Sequence, residues 1–422
     1  MLVKKNGRKT LIVTVLMATL MLSTMLQLKM NLVDASDSDG VILARPELFD
    51  VELFDPPRLY ENLSRFEGIP LAFHMTLTGE EAGFPRGLYV TSGPLPGSVE
   101  IPPDSGNFVP ASDRLFHLAN QFSATVFAEG FNSCEAMVFA QGAYGNGLLI
   151  TEPRENRIQR LQLVSHLPVI TTFSANAGTA PFGPAGLTYD NNLNLYMTDA
   201  AGGRILKVYP NGTTEAFADV PLPQVTPGTK AYAKAVLYDT SGLYGGFLIA
   251  ASWSQGYPDL SPGDAIYSIS ADGIVNQLLD DDDRLGLLEF ITLGPGGVFG
   301  SNLFVTALGT GYHGDGGVYT MAPDGTLSPF LTGIDPSHVV FDTGGILGGG
   351  MFVTDFNQQD TGYADGPARI WRITERTVGG VFASTDKNGS LVNNIGLAAV
   401  ILCVIVGATA CIRHLNKRSE EK

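Results

Sequence analysis

The stretch GPAGLTYDNNLNLYMTDAAGGRILKVYPNGTTEAFA, residues 183–218, decides the fold of this chain. It contains four short apolar runs, at 187–189, 195–198, 204–208 and 214–217, and each is closed by Gly, Pro, Asn or Asp. Short runs bounded by such turn residues are typical of strands in an antiparallel meander. Four strands alone cannot bury their faces, so the fold depends on whether the pattern recurs.

The pattern recurs in five other segments, which begin at His74, Glu135, Lys234, Glu289 and His338. Each copy has an apolar strand, a Gly-rich turn, a strand of the type Leu-Phe-Val-Thr, a loop, a strand of the type Arg-Ile-x-Arg-Ile and a last strand. In the sixth copy the last strand is expected to end at Phe382. Six units with a period of about 45–50 residues predict a closed ring of four-stranded antiparallel blades, a six-bladed all-β propeller. A solenoid is the alternative, but no terminal unit has the polar face of a capping repeat.

The motifs Gly-Leu-Thr-Tyr-Asp, Leu-Tyr-Met-Thr-Asp and Arg-Ile-Leu-Lys-Val within 183–219 carry a resemblance. The chain over residues 70–385 resembles six-bladed β-propellers of the NHL-repeat and gluconolactonase/regucalcin-like superfamily. The resemblance implies the fold, which enzymes and binding modules share. A lactonase-like metal site would need Glu, Asn and Asp at inner positions, and the sequence offers two Glu there without the other two. Blades four and five carry Ala251 and Ala307 where the pattern has an acidic residue.

The N-terminus has the form of an export signal. Lys4, Lys5, Arg8 and Lys9 precede an apolar run, and small residues at 33–35 suit cleavage after Ala35. Residues 1–35 are therefore predicted to be a signal peptide or, alternatively, an uncleaved signal anchor. Residues 36–69 form an extension, in which Val41 to Phe54 is either an extra edge strand that seals the ring or a loose linker.

The C-terminus carries a second apolar run. Residues 395–412 contain no charge, and as a helix they would rise about 27 Å, close to the ~30 Å of a hydrocarbon core. Arg413, Lys417 and Arg418 follow, so the basic tail 413–422 is predicted to be cytoplasmic. The prediction is one C-terminal transmembrane helix, joined to the propeller by the polar stalk 386–394, with the propeller on the extracytoplasmic side of the cell membrane. A sorting signal removed by processing is the alternative.

Composition limits the partners. The exported body contains one cysteine, Cys134, so no disulfide forms within it. The net charge of −16 disfavours nucleic acid as a partner. Cations, sugars and basic proteins are electrostatically easier to accept.

Candidate site residues come from the expected position of each first strand at the central channel. The residue five places before the end of that strand is usually polar, and the ring comprises His74, Glu135, Ala185, Lys234, Glu289 and Ser337, with His338 beside the last. We expect a ligand or metal site at the channel mouth. Glu135, Glu289 and His74 are the candidate ligands of a divalent cation such as Ca²⁺, and Lys234 is their charge partner. The alternative is a water-filled channel that merely tolerates polar residues.

The second-to-third loops open on the same face as this ring and are long in four blades. They hold the aromatic or imidazole side chains Trp253, Tyr257, Tyr312, His313 and Tyr363. Such side chains on a rigid scaffold suit binding to sugar or protein, although they could instead pack down to order their own loops. Asp335, Ser337 and His338 resemble a catalytic triad only in linear order.

These features predict a membrane-anchored binding module that recognises a protein, glycan or small ligand on its loop face. The alternative is a metal-assisted hydrolase or lactonase-like enzyme with its site at the channel mouth. The sequence leaves open whether the protein is catalytic.

Overall fold

The computed structural model describes residues 41–54, 72–92, 113–120, 123–180, 182–221, 230–255, 264–280, 285, 288–309, 316–355 and 369–376. Their strands all belong to the compact unit Met1–Glu375, and of the second unit, Arg376–Lys422, only Arg376 is described. Within the described ranges, 25 strands form six antiparallel sheets, which are the six blades of a β-propeller. The all-β, six-bladed prediction is confirmed.

Each blade is a meander whose strands follow one another from the channel outward. Blade one comprises β3 (Ala72–Thr78), β4 (Gly87–Ser92), β5 (Asp113–Asn120) and β6 (Ser123–Phe131), and blade two comprises β7 (Met137–Phe139), β8 (Leu148–Glu152), β9 (Arg157–Val164) and β10 (Leu167–Ala175). Blade three comprises β11 (Pro184–Tyr189), β12 (Leu195–Asp199), β13 (Arg204–Val208) and β14 (Thr214–Asp219), and blade four comprises β15 (Lys230–Tyr238), β16 (Leu248–Gln255), β17 (Ala265–Ile269) and β18 (Val275–Asp280). Blade five comprises β19 (Leu288–Leu293), β20 (Leu303–Ala307), β21 (Gly317–Met321) and β22 (Leu327–Thr332), and blade six contains β23 (Pro336–Asp342), β24 (Gly350–Asp355) and β25 (Arg369–Glu375).

The N-terminal extension supplies two outer strands. β1 (Ile42–Leu43) pairs with β22 of blade five, and β2 (Phe49–Leu53) pairs with β25 as the fourth strand of blade six. The sequence pattern assigned that fourth position to the segment ending at Phe382, which lies outside the described residues. β2 occupies this position because it buries Phe49 against side chains of blades five and six. The N-terminal and C-terminal strands of the propeller thus meet in one blade.

The meander order sorts the connections onto two ends of the propeller. We call the end with the first-to-second and third-to-fourth turns the lower face, and the end with the second-to-third loops and the links between blades the upper face. The first strands begin at the upper face, as the pairs Pro184 with Asp199 and Pro336 with Asp355 require. β25 is a third strand, so it ends at the lower face.

The lower-face turns use their Asp and Gly residues for structure. Asp239 and Asp342, which end the first strands of blades four and six, accept backbone N–H bonds from the turn that follows each of them. Gly212 and Gly273 have φ values of 82° and 79°, and a Cβ at either would collide with the outer strand of the preceding blade. Only glycine combines a left-handed turn with so close an approach.

The core lies between neighbouring sheets. One buried cluster joins Ile249 and Ile266 of blade four to Ile291 and Val305 of blade five, and equivalent clusters fill other blade junctions. Two tyrosines from first-to-second turns reinforce these junctions with hydrogen bonds. The Tyr144 hydroxyl of blade two donates to the Val208 carbonyl at 2.7 Å and accepts from the Leu195 amide at 3.1 Å, both in blade three. Tyr244 of blade four makes the equivalent pair of bonds to blade five.

The predicted export signal at 1–35, the stalk at 386–394 and the apolar run at 395–412 lie outside the described residues. Within the part of the chain that is described, no helix has both the length and the apolar character needed to cross a bilayer.

Candidate functional site

The channel-facing residues are displayed by irregularities in the first strands. Pairing in β15 passes from Ala233 to Ala235, and pairing in β19 passes from Leu288 to Phe290. The residues passed over are Lys234 and Glu289. A bulge of this kind turns an extra side chain out of the sheet, and it explains how two long charged side chains enter the channel from apolar strands.

Threonine hydroxyls hold these irregular strands in place. Thr198 Oγ1 accepts the Gly186 amide at 2.7 Å and donates to the Lys234 carbonyl of the next blade at 3.0 Å. Thr151 and Thr306 make the same link to the following blade. The threonines near the ends of the second strands of blades two, three and five therefore join neighbouring blades around the channel, a role that the sequence pattern did not reveal.

Strand register corrects one detail of the sequence alignment. Leu195 pairs with Val208, the last residue of β13, and Leu248 pairs with Ile269, the last residue of β17, so the two leucines occupy equivalent positions. Ala251, three residues after Leu248, therefore corresponds to Thr198 and not to the acidic Asp199. Blade four thus lacks the linking threonine at the junction that displays Lys234 and Glu289.

An ion-pair cluster crosses one side of the channel. The Lys234 ammonium lies 3.0 Å from Oε2 of Glu135 and 3.1 Å from Oε2 of Glu289. The three residues come from blades four, two and five. The Glu135 side chain is 24% exposed, against 12% for Lys234 and 7% for Glu289, so access to the cluster is greatest at Glu135.

The cluster has two carboxyl groups for one ammonium, and this sets its electrostatics. Burial opposes the charge on Lys234, but the attraction of Glu135 and Glu289 outweighs it and raises the pKa of Lys234 above its usual value. Burial raises the pKa of Glu289 to about 7, since Lys234 offsets only part of the cost and Glu135 adds repulsion. Lys234 stays protonated at neutral pH, and Glu289 exchanges its proton close to neutrality.

A stack of three rings lies on another side of the channel. The His338 ring centroid is 3.7 Å from that of His74 and 3.7 Å from that of Phe290. His74 and His338 are buried, while Phe290 is partly buried. Phe290 was not among the sequence candidates, although its place next to Glu289 could have indicated it.

Burial keeps both imidazoles neutral. It lowers the pKa of His74 to about 3, and it lowers the pKa of His338 well below the ordinary value, with repulsion from His74 adding to the effect. Among the described residues, His74 Nδ1 and both ring nitrogens of His338 have no hydrogen-bond partner. A buried polar atom left in this way costs about 1–3 kcal/mol, so the site retains unused hydrogen-bonding capacity.

Ser337 does not form a triad with its sequence neighbours. Its hydroxyl lies 2.7 Å from Thr354 Oγ1, and the Asp335 amide donates to Asp355 Oδ1 at 3.0 Å. His338 directs its ring into the stack with His74 and Phe290. The remaining ring position, Ala185, is small and buried.

The arrangement does not fit a divalent cation at the predicted ligands Glu135, Glu289 and His74. The ammonium of Lys234 already lies between the two carboxylates, and the His74 ring is committed to the stack. In the described ranges, no group of three or more His, Cys, Asp or Glu side chains is arranged to hold a metal ion.

The loop aromatics cannot be placed in this site. Tyr257, Tyr312, His313 and Tyr363 lie outside the described residues, and Trp253 belongs to β16 without a described side chain. Their proposed role in binding stays a prediction. Their loops follow the ends of β16, β20 and β24, which places the attachment points on the upper face.

Several solved structures are similar to this chain. An auxiliary nutrient binding protein from Bacteroides thetaiotaomicron is similar over 78% of this chain and 76% of its own, with a TM-score of 0.50 and 11% identity. Virginiamycin B lyase from Staphylococcus aureus, solved as an inactive variant with quinupristin, is similar over 77% of this chain and 99% of its own, with a TM-score of 0.44 and 12% identity. A gluconolactonase from Xanthomonas campestris is similar over 80% of this chain and 97% of its own, with a TM-score of 0.45 and 13% identity.

No protein-family model and no curated protein sequence matches the chain. The likeness is therefore to the six-bladed propeller fold, and it does not carry an activity.

Proposed function

We propose that this protein is an exported, membrane-anchored propeller that binds a small polar ligand, such as a sugar, at the upper end of its channel. The observation that carries the proposal is the Glu135–Lys234–Glu289 cluster. It combines hydrogen-bond acceptors with a permanently charged donor at one accessible point.

A polyhydroxylated ligand matches this chemistry. Each sugar hydroxyl both donates and accepts, so it can bond to the Glu135 carboxylate and the Lys234 ammonium together. Phe290, which follows Glu289 in β19, offers a partly buried ring, and apolar sugar faces pack on such rings. The upper-face loops attach around the same end of the channel, and their aromatic residues would enlarge the contact surface.

The side-chain chemistry favours binding over hydrolysis. A protonated Lys234 is neither a base nor a nucleophile, and the Ser337 hydroxyl lies within hydrogen-bond distance of Thr354 Oγ1. Both histidine rings pack together, and among the described residues neither ring nitrogen of His338 has a hydrogen-bond partner. The metal-assisted hydrolase is therefore the weaker candidate for this site.

Export and anchoring rest on the two ends of the sequence. The basic start and apolar run before Ala35 support export, and the uncharged run 395–412 with its basic tail supports one span. Alkaline carbonate extraction of cell membranes tests the anchor. The full chain should remain with the membrane, while a chain ending at Asn394 should be released; release of both would contradict the anchor.

Ligand binding is tested by thermal unfolding of the full chain in detergent with a panel of hexoses, amino sugars, uronic acids and disaccharides. At least one sugar should raise the unfolding temperature in a concentration-dependent way. Glu135→Gln should abolish that rise, and Glu129→Gln, which alters an exposed carboxylate on an outer strand, should preserve it. An unchanged response in Glu135→Gln would place the binding elsewhere.

A further inference from the structure

Exposed apolar side chains are concentrated on the lower face of the propeller. Six large ones project from first-to-second or third-to-fourth turns of blades two to five: Val164, Leu167, Leu193, Leu243, Ile274 and Val298. We call this set the lower apolar patch. Leu167 and Ile274 are the most exposed, at 67% and 62%. Scattered apolar residues need no explanation, but a set confined to the turns at one end of four consecutive blades does.

Blade two contributes a projecting hairpin. β9 and β10 pair as far as Val164 with Leu167, whereas β8 reaches β9 only as far as Leu161. The tip therefore extends beyond its own sheet, with Val164 and Leu167 on either side of a tight turn. Such a tip can make contacts outside the propeller without disturbing the core.

In blade three, the patch residue Leu193 lies against the first-to-second turn of blade two. Leu193 has a φ of 61°, a conformation that bulky side chains rarely adopt, and a Cβ at Gly142 of blade two would lie 3.1 Å from its Cδ1. Leucine at this turn keeps an apolar side chain against blade two, where glycine or asparagine would relieve the backbone.

Charge is sparse around the patch. In the lower-face turns of blades two and five that carry patch residues, 164–167 and 294–302, the single ionisable residue is the exposed His166. Asp190 lies partly buried in the turn of Leu193, Asp272 lies beside Ile274, and Asp324 is exposed in the third-to-fourth turn of blade five, whereas Asp239 is buried by its own turn. The exposed charges Glu80, Glu81 and Arg86 lie in blade one, outside the patch.

The end of the described chain indicates what covers this face. β25 ends at Glu375 on the lower face, and the chain that continues from there reaches the uncharged run 395–412. The chain therefore leaves the described propeller toward the proposed anchor from the same face as the patch.

We propose that the lower apolar patch lies on the lipid bilayer, so that the propeller docks with its ligand-binding face turned away from the membrane. This proposal rests on the membrane anchor of the proposed function. Because the six patch side chains are apolar and the charged residues beside them are mainly acidic, docking needs no anionic lipid and should depend little on salt. Asp190, Asp272 and Asp324 would remain in the hydrated headgroup layer.

The test places the fluorophore NBD at single cysteines of the full chain, with Cys403 and Cys411 replaced by alanine, in phosphatidylcholine vesicles. Leu193→Cys and Ile274→Cys report on the patch, and Ala180→Cys is the matched control on the upper face. The two patch labels should be quenched at least threefold by headgroup nitroxide lipid and protected from iodide. The control label should be quenched by iodide and not by the lipid.

Three results would overturn the proposal in distinguishable ways. If the chain floats with the vesicles and the patch labels stay as open to iodide as the control, the anchor stands and the docking fails. Protection from iodide without quenching by nitroxide lipid would mean that a second copy or another protein covers the face. A chain that does not float with vesicles contradicts the anchor and the docking together, while sugar binding is judged separately by the unfolding temperature.

Discussion

The ammonium nitrogen of Lys234 lies 3.0 Å from Oε2 of Glu135, although the two residues belong to blades that are not neighbours in the ring. Glu289 approaches the same nitrogen from blade five. One buried cation thus ties three blades together across the channel. This tie couples the stability of the propeller to its candidate binding site.

Replacement of Lys234 should therefore destabilise the fold. Lys234→Met leaves two carboxylates facing each other without their cation, and loss of one partner from a buried pair costs about 3 kcal/mol. Urea unfolding would measure the loss. Lys207→Met, on a half-buried lysine over Tyr209, should change the free energy of unfolding by less than about 1 kcal/mol. The double variant Lys234→Met/Glu289→Gln should recover part of the loss, and no recovery would contradict the assigned repulsion.

Glu289 should make stability fall as pH rises toward neutrality. Its pKa is about 7 in the folded protein, against an ordinary 4.5, so the folded state holds more protons between these values. The free energy of unfolding of the native protein, relative to Glu289→Gln, should drop by about 1.4 kcal/mol per pH unit across that window. Parallel pH profiles for the two proteins would show that Glu289 titrates normally.

The histidine stack should act in the opposite direction. The folded state resists protonation of His338, whereas the unfolded chain accepts the proton below pH 6.5, so stability is lost as pH falls. His338→Phe keeps a ring between His74 and Phe290 and removes this proton. Its stability relative to the native protein should rise below pH 6.5 by about 1.4 kcal/mol per unit. Any cost of the larger ring is independent of pH, so a flat difference would contradict the account.

Closure of the ring should depend on the N-terminal strand β2. Phe49 is buried against blades five and six, and removal of such a side chain costs about 3–5 kcal/mol. Leu53→Ala in the same strand is the control, because Leu53 is 46% exposed. Thermal unfolding should show a large loss for Phe49→Ala and a small one for Leu53→Ala. Equal effects would mean that β2 is not needed for closure.

Repeat periodicity made the fold predictable. The strand patterns around residues 183–218 recur with their turns, and the period that they define leads directly to six blades. The polar ring could also be predicted in part, because each first strand presents one residue to the channel. Ionisable residues at such positions are conspicuous in otherwise apolar strands.

Other features depend on three-dimensional contacts that no local pattern encodes. The fourth strand of blade six comes from Phe49–Leu53, far from that blade in sequence, and its edge position imposes only a weak alternation. The reach of Lys234 to both carboxylates depends on a bulge and on side-chain length. The alignment also placed Ala251 one position out of register, because hairpin pairing and not residue type decides the correspondence.

The dissociation constant of the tightest sugar from the panel tests the central claim most directly. Titration calorimetry should give a measurable affinity for the full chain and for Glu129→Gln, and at least a tenfold weaker affinity for Glu135→Gln. Equal affinities in all three proteins, or no heat with any sugar of the panel, would contradict a ligand site at the Glu135–Lys234–Glu289 cluster.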